Sequence, residues 1–417
     1  MLVVAVCTAL AGLCGPDVLA RQTSQGSGQA PVFRSTTALV TVDAIVTDKN
    51  GNFATGLEAG DLQLLEDGKP QRIEQFYMVT HDMALRGDVP GELTGNTQRA
   101  DHRLFIIMFD EAHLAHESLL RAKHGAEQFV TTFMGAGDVG GVFLNGGMFK
   151  GRLTTDRGEL LEAIRAVRPG NENRQELLAP FREWPMIPSE HDAARIADGA
   201  REVTDALGVK ACTESPADCQ AAGGLQQVEN QIQQKSRLYI RQARMLTART
   251  IQNLQIVTRG LSRFPGRKTV MFLSEGFFVE DTRTTVEMAA AQAARAGTTI
   301  YTIDGRGLTN GTSPNPDVVR AGRARATTFD SGDDGPNILT AGTGGFMVRN
   351  VDDISRAFGM IVRDTSTYYV IGYQPDNATM DGKFRKIEVK SKISGLKVRA
   401  RKGYAALVLP PQEVMWK

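Results

Sequence analysis

Three strand-like runs of this sequence end in acids: LFIIMF (104–109) leads into Asp110-Glu111, TVMFL (269–273) into Ser274-Glu275-Gly276, and TTIYTI (298–303) into Asp304-Gly305. Carboxylates are hard oxygen donors, so acids gathered at one place could hold Mg²⁺ or Ca²⁺. The plainer alternative is that each acid caps a following helix and complements its dipole. His113, His116 and Glu117 follow the first run. Two histidines one turn apart on a helix can share a metal, yet the spacing is not H-E-x-x-H and no later residue offers itself as a third ligand. Exposed polar residues at a helix start explain the same letters. No P-loop lysine and no G-x-S-x-G elbow occurs, which takes away leading signatures of nucleotide enzymes and esterases.

Lys+Arg of 48 against Asp+Glu of 47 leaves no global field to favour nucleic acid or an acidic membrane. With 417 residues, 41% hydrophobic and 23% charged, the chain can bury a sizeable core and make two or three domains. The opening MLVVAVCTALAGLC is apolar and uncharged. It suits a secretory leader cleaved near Ala20 and falls short of the roughly 20 residues that a membrane-spanning helix needs. Cys7 and Cys14 would leave with it, and Cys212 and Cys219 at the ends of CTESPADC could then close a small disulfide in an oxidising compartment. Free thiols are the alternative there.

The elements that would position these residues can be read from hydrophobic period. Residues 21–36 are polar and Gly/Ser-rich and form a flexible lead-in. Val40, Val42, Ala44 and Val46 alternate with polar residues as in a half-buried strand, and Leu62–Glu66 with Gln71–Val79 flank Asp67-Gly68-Lys69-Pro70 as in a hairpin. From Leu104 the pattern becomes alternating strand and helix, the mark of a parallel sheet. An exception runs from about 171 to 265, where Leu225, Val228, Ile232, Tyr239, Leu246, Ile251, Leu254, Val257 and Leu261 trace one face of a long helix. The tail returns to β character at 367–373, 384–390 and 396–404, with apolar and charged residues alternating in the last two. Neither end is self-sufficient, so the two ends are expected to pair with each other around the α/β region.

Several ordered blocks carry a resemblance: VTVDAIVTDKNGNFATGLEAGDLQLLEDGKPQRIEQF, LFIIMFDEAH, RLTTDRGELLEAI, GRKTVMFLSEGF and STYYVIGYQPDNATMDGKFRKIEVKSKISGLKVRARKGYAA. Together they resemble the von Willebrand factor A family, and within it the "VWFA-related" branch of acidobacterial secreted proteins. The resemblance implies an α/β fold, a doubly wound A-type sheet at 101–365 with a helical insertion at about 171–265. That sheet would be inserted in a small β-sandwich made from 37–80 and 366–408. It also implies a metal-dependent adhesion site of the form D-x-S-x-S, completed by a later Thr and Asp. Asp110 matches the first Asp, Ala112 and Leu114 replace both serines, and Glu275 stands where the later Asp is usual. The loop expected to bring the Thr, Pro169-Gly170-Asn171-Glu172-Asn173, has none. Asp110, Glu111 and Glu275 therefore remain as ligands for Mg²⁺ or Ca²⁺ bound weakly or not at all, with no other cofactor.

The functional expectation is an exported, non-enzymatic protein that binds a protein or cell-surface partner through the carboxyl edge of the sheet and the helical insertion, and binds no nucleic acid. A metal-dependent hydrolase using Asp110, His113, His116 and Glu275, and a structural envelope component, are the alternatives. Arg237, Arg241, Arg244 and Arg249 on the long helix read as a solvated face or a partner surface.

Overall fold

Val40, Val42, Ala44 and Val46 are buried and Thr41 is exposed, so the period-two pattern folds as a strand, β1 (Val40–Thr47), with one dry face. The structure, a computed structural model, describes residues 39–81, 97–99, 102–170, 173–277, 279, 282–306, 334–349, 351 and 353–410. The expected leader and lead-in lie outside the described residues. The further strands are β2 (Leu62–Glu66), β3 (Lys69–Gln71), β4 (Ile73–Thr80), β5 (Thr97–Arg99), β6 (Leu104–Phe109), β7 (Val139–Leu144) and β8 (Gly147–Met148). They continue with β9 (Lys268–Ser274), β10 (Thr298–Asp304), β11 (Met347–Val348), β12 (Thr367–Tyr373), β13 (Phe384–Ser391), β14 (Lys397–Ala400) and β15 (Gly403–Ala405).

A mixed α/β unit with a parallel-rich sheet forms the centre, with strand order β11-β10-β9-β6-β7-β8. All neighbours are parallel except the β7–β8 hairpin. β6 and β9 are buried along their whole length because helices cover both faces. Phe105, Ile107 and Phe109 meet Leu119 and Ala122 of helix His116–Gln128 and Phe358 and Ile361 of helix Ile354–Ser366. Leu104, Ile106 and Met108 meet Ile251, Leu254 and Val257 on the opposite face. Each fully buried side chain of this kind contributes about 1.5–3 kcal/mol, which explains an apolar run without alternation. The chain leaves β6 toward β7 and returns to β9 on β6's other side, so the carboxyl ends of β6 and β9 flank the point where strand order reverses.

The stretch between β8 and β9 holds the helices Arg157–Ala166, Arg174–Leu177, Glu190–Ala197, Arg201–Glu214 and Pro216–Ala221, then a 37-residue helix, Leu225–Leu261. Two cores in tandem account for that length. Val228, Ile232, Tyr239 and Ile240 pack with Phe181, Ile187 and Ala193, whereas Ile251, Leu254, Val257 and Leu261 pack on the sheet. The expected apolar stripe is thus covered from both ends, except that Leu225 at the helix start is 41% exposed.

The two ends of the chain interleave. β1 pairs antiparallel with β12 (Val40↔Tyr373) and β14, and β13 pairs antiparallel with β2. One sheet has the order β14-β1-β12-β4-β5 and another β15-β13-β2-β3, and both send side chains into one core, Val42 and Ile371 from the first and Leu64 and Ile387 from the second. The expected hairpin needs correction: β2 turns at Asp67-Gly68 onto the short β3, and Ile73–Thr80 leaves to pair with β12 in the other sheet. Pro70, which has no N–H to donate, lies in the edge strand, where it is tolerated.

Candidate functional site

Because β6, β9 and β10 are adjacent and parallel, their terminal acids do reach one edge. They do not converge there. Asp110 is 3% exposed and points inward, where three elements meet its carboxylate. Thr250 Oγ1, from the long helix, donates to Oδ1 at 2.7 Å, and Ser274 Oγ, at the end of β9, donates to Oδ2 at 2.7 Å. His113 Nδ1, from the turn after β6, lies 3.0 Å from Oδ2, 3.2 Å from Oδ1 and 3.1 Å from Thr250 Oγ1. Facing two carboxylate oxygens, that nitrogen carries the hydrogen. Burial pushes the Asp110 carboxyl up, but the neighbouring His113 charge and the bonds from His113, Ser274 and Thr250 outweigh it and hold the group below its ordinary value.

Glu275 turns away from Asp110. Its Oε1 accepts from the Ala115 backbone N–H at 2.9 Å, at the start of helix His116–Gln128, where Ala115 has no side chain able to cap. A glutamate from another strand thus supplies the missing N-terminal acceptor and complements the dipole. Asp304 clasps Arg306, accepting from its backbone N–H and Nε at 2.9 Å and from Nη2 at 2.7 Å. Glu111 accepts from the Asn145 backbone N–H at 3.3 Å. Burial raises the Glu111 carboxyl against the opposing pull of that bond and of Arg249.

The donor set does not fit the cation that the resemblance implies. Ala112 and Leu114 are buried apolar side chains at the positions of the two serines. The Asp110 oxygens already face two hydroxyls and an imidazole N–H, while Glu111 and Glu275 serve backbone donors elsewhere. Among the described residues, no three His, Cys, Asp or Glu side chains converge as a metal group.

Two expectations about histidine change. His113 is not an exposed residue of a helix start: it sits before the helix and is 3% exposed, with the Phe277 ring 5.5 Å from its own. His116 and Glu117 are exposed on the helix, so the pair that a shared metal would need is separated. Gly135-Ala136-Gly137-Asp138-Val139-Gly140 does spell G-x-G-x-x-G, but it leads into β7 instead of leaving a strand for a helix, the wrong context for a dinucleotide. The loop expected to bring a Thr does approach the edge, since a Cβ on Gly170 would lie 2.9 Å from the Glu111 carbonyl oxygen. The threonine comes from the long helix instead. Its signal was a polar residue inside an apolar face: Thr247, Thr250 and Thr258 are buried among Leu246, Ile251, Leu254 and Val257. Cys212 and Cys219 are joined, with S–S 1.95 Å and Cα–Cα 5.0 Å, linking helix Arg201–Glu214 to helix Pro216–Ala221.

No family model matches the chain, and no curated protein matches it. Similar solved structures include the conserved hypothetical protein BatB from Bacteroides thetaiotaomicron, at 13% identity and TM-score 0.32, covering 64% of this chain and 98% of that one. Another is an aerotolerance-related membrane protein from Bacteroides fragilis NCTC 9343 with multiple mutations to serines, at 12% identity and TM-score 0.26, covering 63% and 98%. At these TM-scores the likeness carries no weight for function. Among the described residues, no helix is long and apolar enough to cross a membrane.

Proposed function

We propose that the chain is an exported, non-enzymatic binding protein, an A-type domain inserted in a β-sandwich made by its own two ends. It takes a protein or cell-surface partner at the carboxyl edge of the parallel sheet and along the long helix. The observation that carries this reading is the outer face of that helix. Leu238, Met245 and Ile256 are 44%, 58% and 41% exposed, and their spacing brings them onto one side of the helix. Arg237, Arg241, Arg249 and Arg259 are exposed around them. Large apolar side chains on a surface rimmed by charge are what a partner site presents. Arg249 also acts electrostatically on Glu111, which ties this face to the edge.

A hydrolase is the weaker reading, because His113 Nδ1 is engaged in a buried bond, His116 is turned to solvent, and Glu275 holds a helix start. The test compares the full-length protein with a Leu238→Asp, Met245→Asp, Ile256→Asp variant as bait in an envelope fraction of the source organism. Capture of a stoichiometric partner by the wild type and its loss in the folded variant is expected. Equal capture by both, or turnover of model esters or peptides by the wild type, would overturn the proposal.

A further inference from the structure

The outer side of helix Leu225–Leu261 is one-sided in charge. Between Asn230 and Leu261 the chain carries six basic residues and no Asp or Glu, although the protein as a whole has 48 basic residues against 47 acidic ones. At about 100° per residue, the exposed Arg237, Arg241 and Arg259 fall within about 40° of one another around the helix axis. The exposed Leu238, Met245 and Ile256 come next, within about 20° of one another, and Arg249 lies just beyond them. An apolar row about 27 Å long therefore runs parallel to the axis between basic flanks. Among the described residues, no acid pairs with Arg237, Arg241 or Arg259. Like charges one turn apart, as Arg237 and Arg241 are, repel each other, so the fold leaves this row uncompensated.

We infer that the partner of this face is acidic and helical: an amphipathic helix of a second protein, its apolar stripe laid along Leu238, Met245 and Ile256 and its carboxylates held by Arg237, Arg241 and Arg259 on one side and Arg249 on the other. The inference rests on the reading of this face as a binding surface, and adds the charge and shape of what binds. Charge follows from the acid-free row, and the choice of arginine suits carboxylates, which its planar fork grips in pairs. Shape follows from the backbone. The side of a helix offers no free N–H or C=O, so an extended strand laid there would leave its own groups unmatched, whereas a helix arrives with them satisfied. A lipid surface suits the face less well. Lying in a membrane requires a broad apolar side, and this helix spends its broad side on Phe181 and Ile187 at one end and on the central sheet at the other.

The probe is a synthetic helical peptide with leucines on one stripe and glutamates beside it, titrated into full-length protein and followed by fluorescence anisotropy. Saturable binding that weakens as salt rises is expected. A peptide of the same composition with the leucines shuffled, and the Arg237→Glu, Arg241→Glu variant, should each bind at least about tenfold more weakly. No saturable binding, equal binding of the shuffled peptide, or affinity indifferent to salt would overturn the inference. So would tighter binding to phosphatidylglycerol vesicles than to the peptide, which would give the face to a membrane. Self-association of the wild type that Arg237→Glu, Arg241→Glu abolishes would give it to a second copy and likewise overturn the inference. Should the double reversal not fold, Arg237→Gln, Arg241→Gln enters the same titration, and the salt dependence of the wild type decides without any variant. The two readings of the face fail separately. A partner captured from the envelope fraction that tolerates the charge reversal but is lost with Leu238→Asp, Met245→Asp, Ile256→Asp would keep the binding surface and overturn its acidic occupant.

Discussion

Thr250 Oγ1 donates to Asp110 Oδ1 at 2.7 Å from 140 positions further along the chain. The bond crosses from the helical insertion to the end of the central strand β6. It fixes the long helix in place at the edge, and it makes the insertion part of the site instead of an appendage to it.

If Asp110 is the hub, its substitution should cost more than the loss of any one partner. Asp110→Asn removes the charge that three donors face and should cost roughly 3 kcal/mol, as expected when one member of a buried pair is removed. Thr250→Val removes a single bond to a charged group and should cost about 1.5–3 kcal/mol. Urea unfolding of the two variants checks the order. A smaller loss for Asp110→Asn than for Thr250→Val would place the hub elsewhere.

Acid should unfold the protein partly through the same residue. The Asp110 carboxyl is held below its ordinary value of 3.8, so its contribution is fully present above the unfolded-state value and disappears as pH falls through the folded-state one. Stability of the wild type should therefore drop below about pH 4, and Asp110→Asn should show a shallower drop over the same range. Parallel slopes in denaturant melts at a series of pH values would contradict this.

Lys268 behaves with the opposite sign. It is buried at the start of β9, donates to the Phe264 carbonyl at 2.8 Å, and is pushed down from 10.5 to about 8, mainly by desolvation. The charged form is penalised in the folded state, so the penalty is complete below pH 8 and is relieved as pH rises from about 8 to 10.5. Stability should rise across that window. Lys268→Met should raise Tm at neutral pH and flatten the alkaline rise, measured by calorimetry. A lower Tm for the variant would show that the bond to Phe264 outweighs the buried charge.

Reduction of Cys212–Cys219 should be felt inside the insertion. The bridge closes a short loop, with a sequence separation of 7, for which chain entropy gives about 2–3 kcal/mol. Half-buried Cys212 and buried Cys219 pack in the cluster that holds Tyr239 and Ile240 of the long helix. Hydrogen exchange should rise in helices Arg201–Glu214 and Pro216–Ala221 on treatment with reductant, while the central strands β6 and β9 stay protected. Exchange that rises equally in the sheet would show that the insertion does not open by itself.

The strands were legible because burial dictated their composition. LFIIMF and its counterpart β9 have helices on both faces and no room for alternation, while from Val40 to Ala44 only one face is dry and the residues alternate, the other face becoming buried at Ile45. Pairing of the two ends was legible from the insufficiency of either alone. The hairpin partner was misjudged because Lys69–Gln71 and Ile73–Thr80 are separated by a single residue, and period does not reveal which sheet a strand joins. At the site, the acids at strand ends could be read and their partners could not. Glu275 caps a helix that begins far earlier in the chain, and Asp110 meets a threonine from a helix that the strand pattern does not announce. Such contacts depend on tertiary placement, and only the buried threonines of an apolar helix face hinted at one.

The interleaving of the two ends has a consequence for synthesis. β1 emerges early from the ribosome, yet both of its neighbours, β12 and β14, belong to the last part of the chain. Until those arrive, β1 exposes two unpaired backbone edges and an apolar face, the features that recruit foreign strands. Contacts of such wide sequence separation also form slowly. The central α/β unit can thus fold first while the start of the chain waits, and a polypeptide cut before Thr367 would keep that strand open for good.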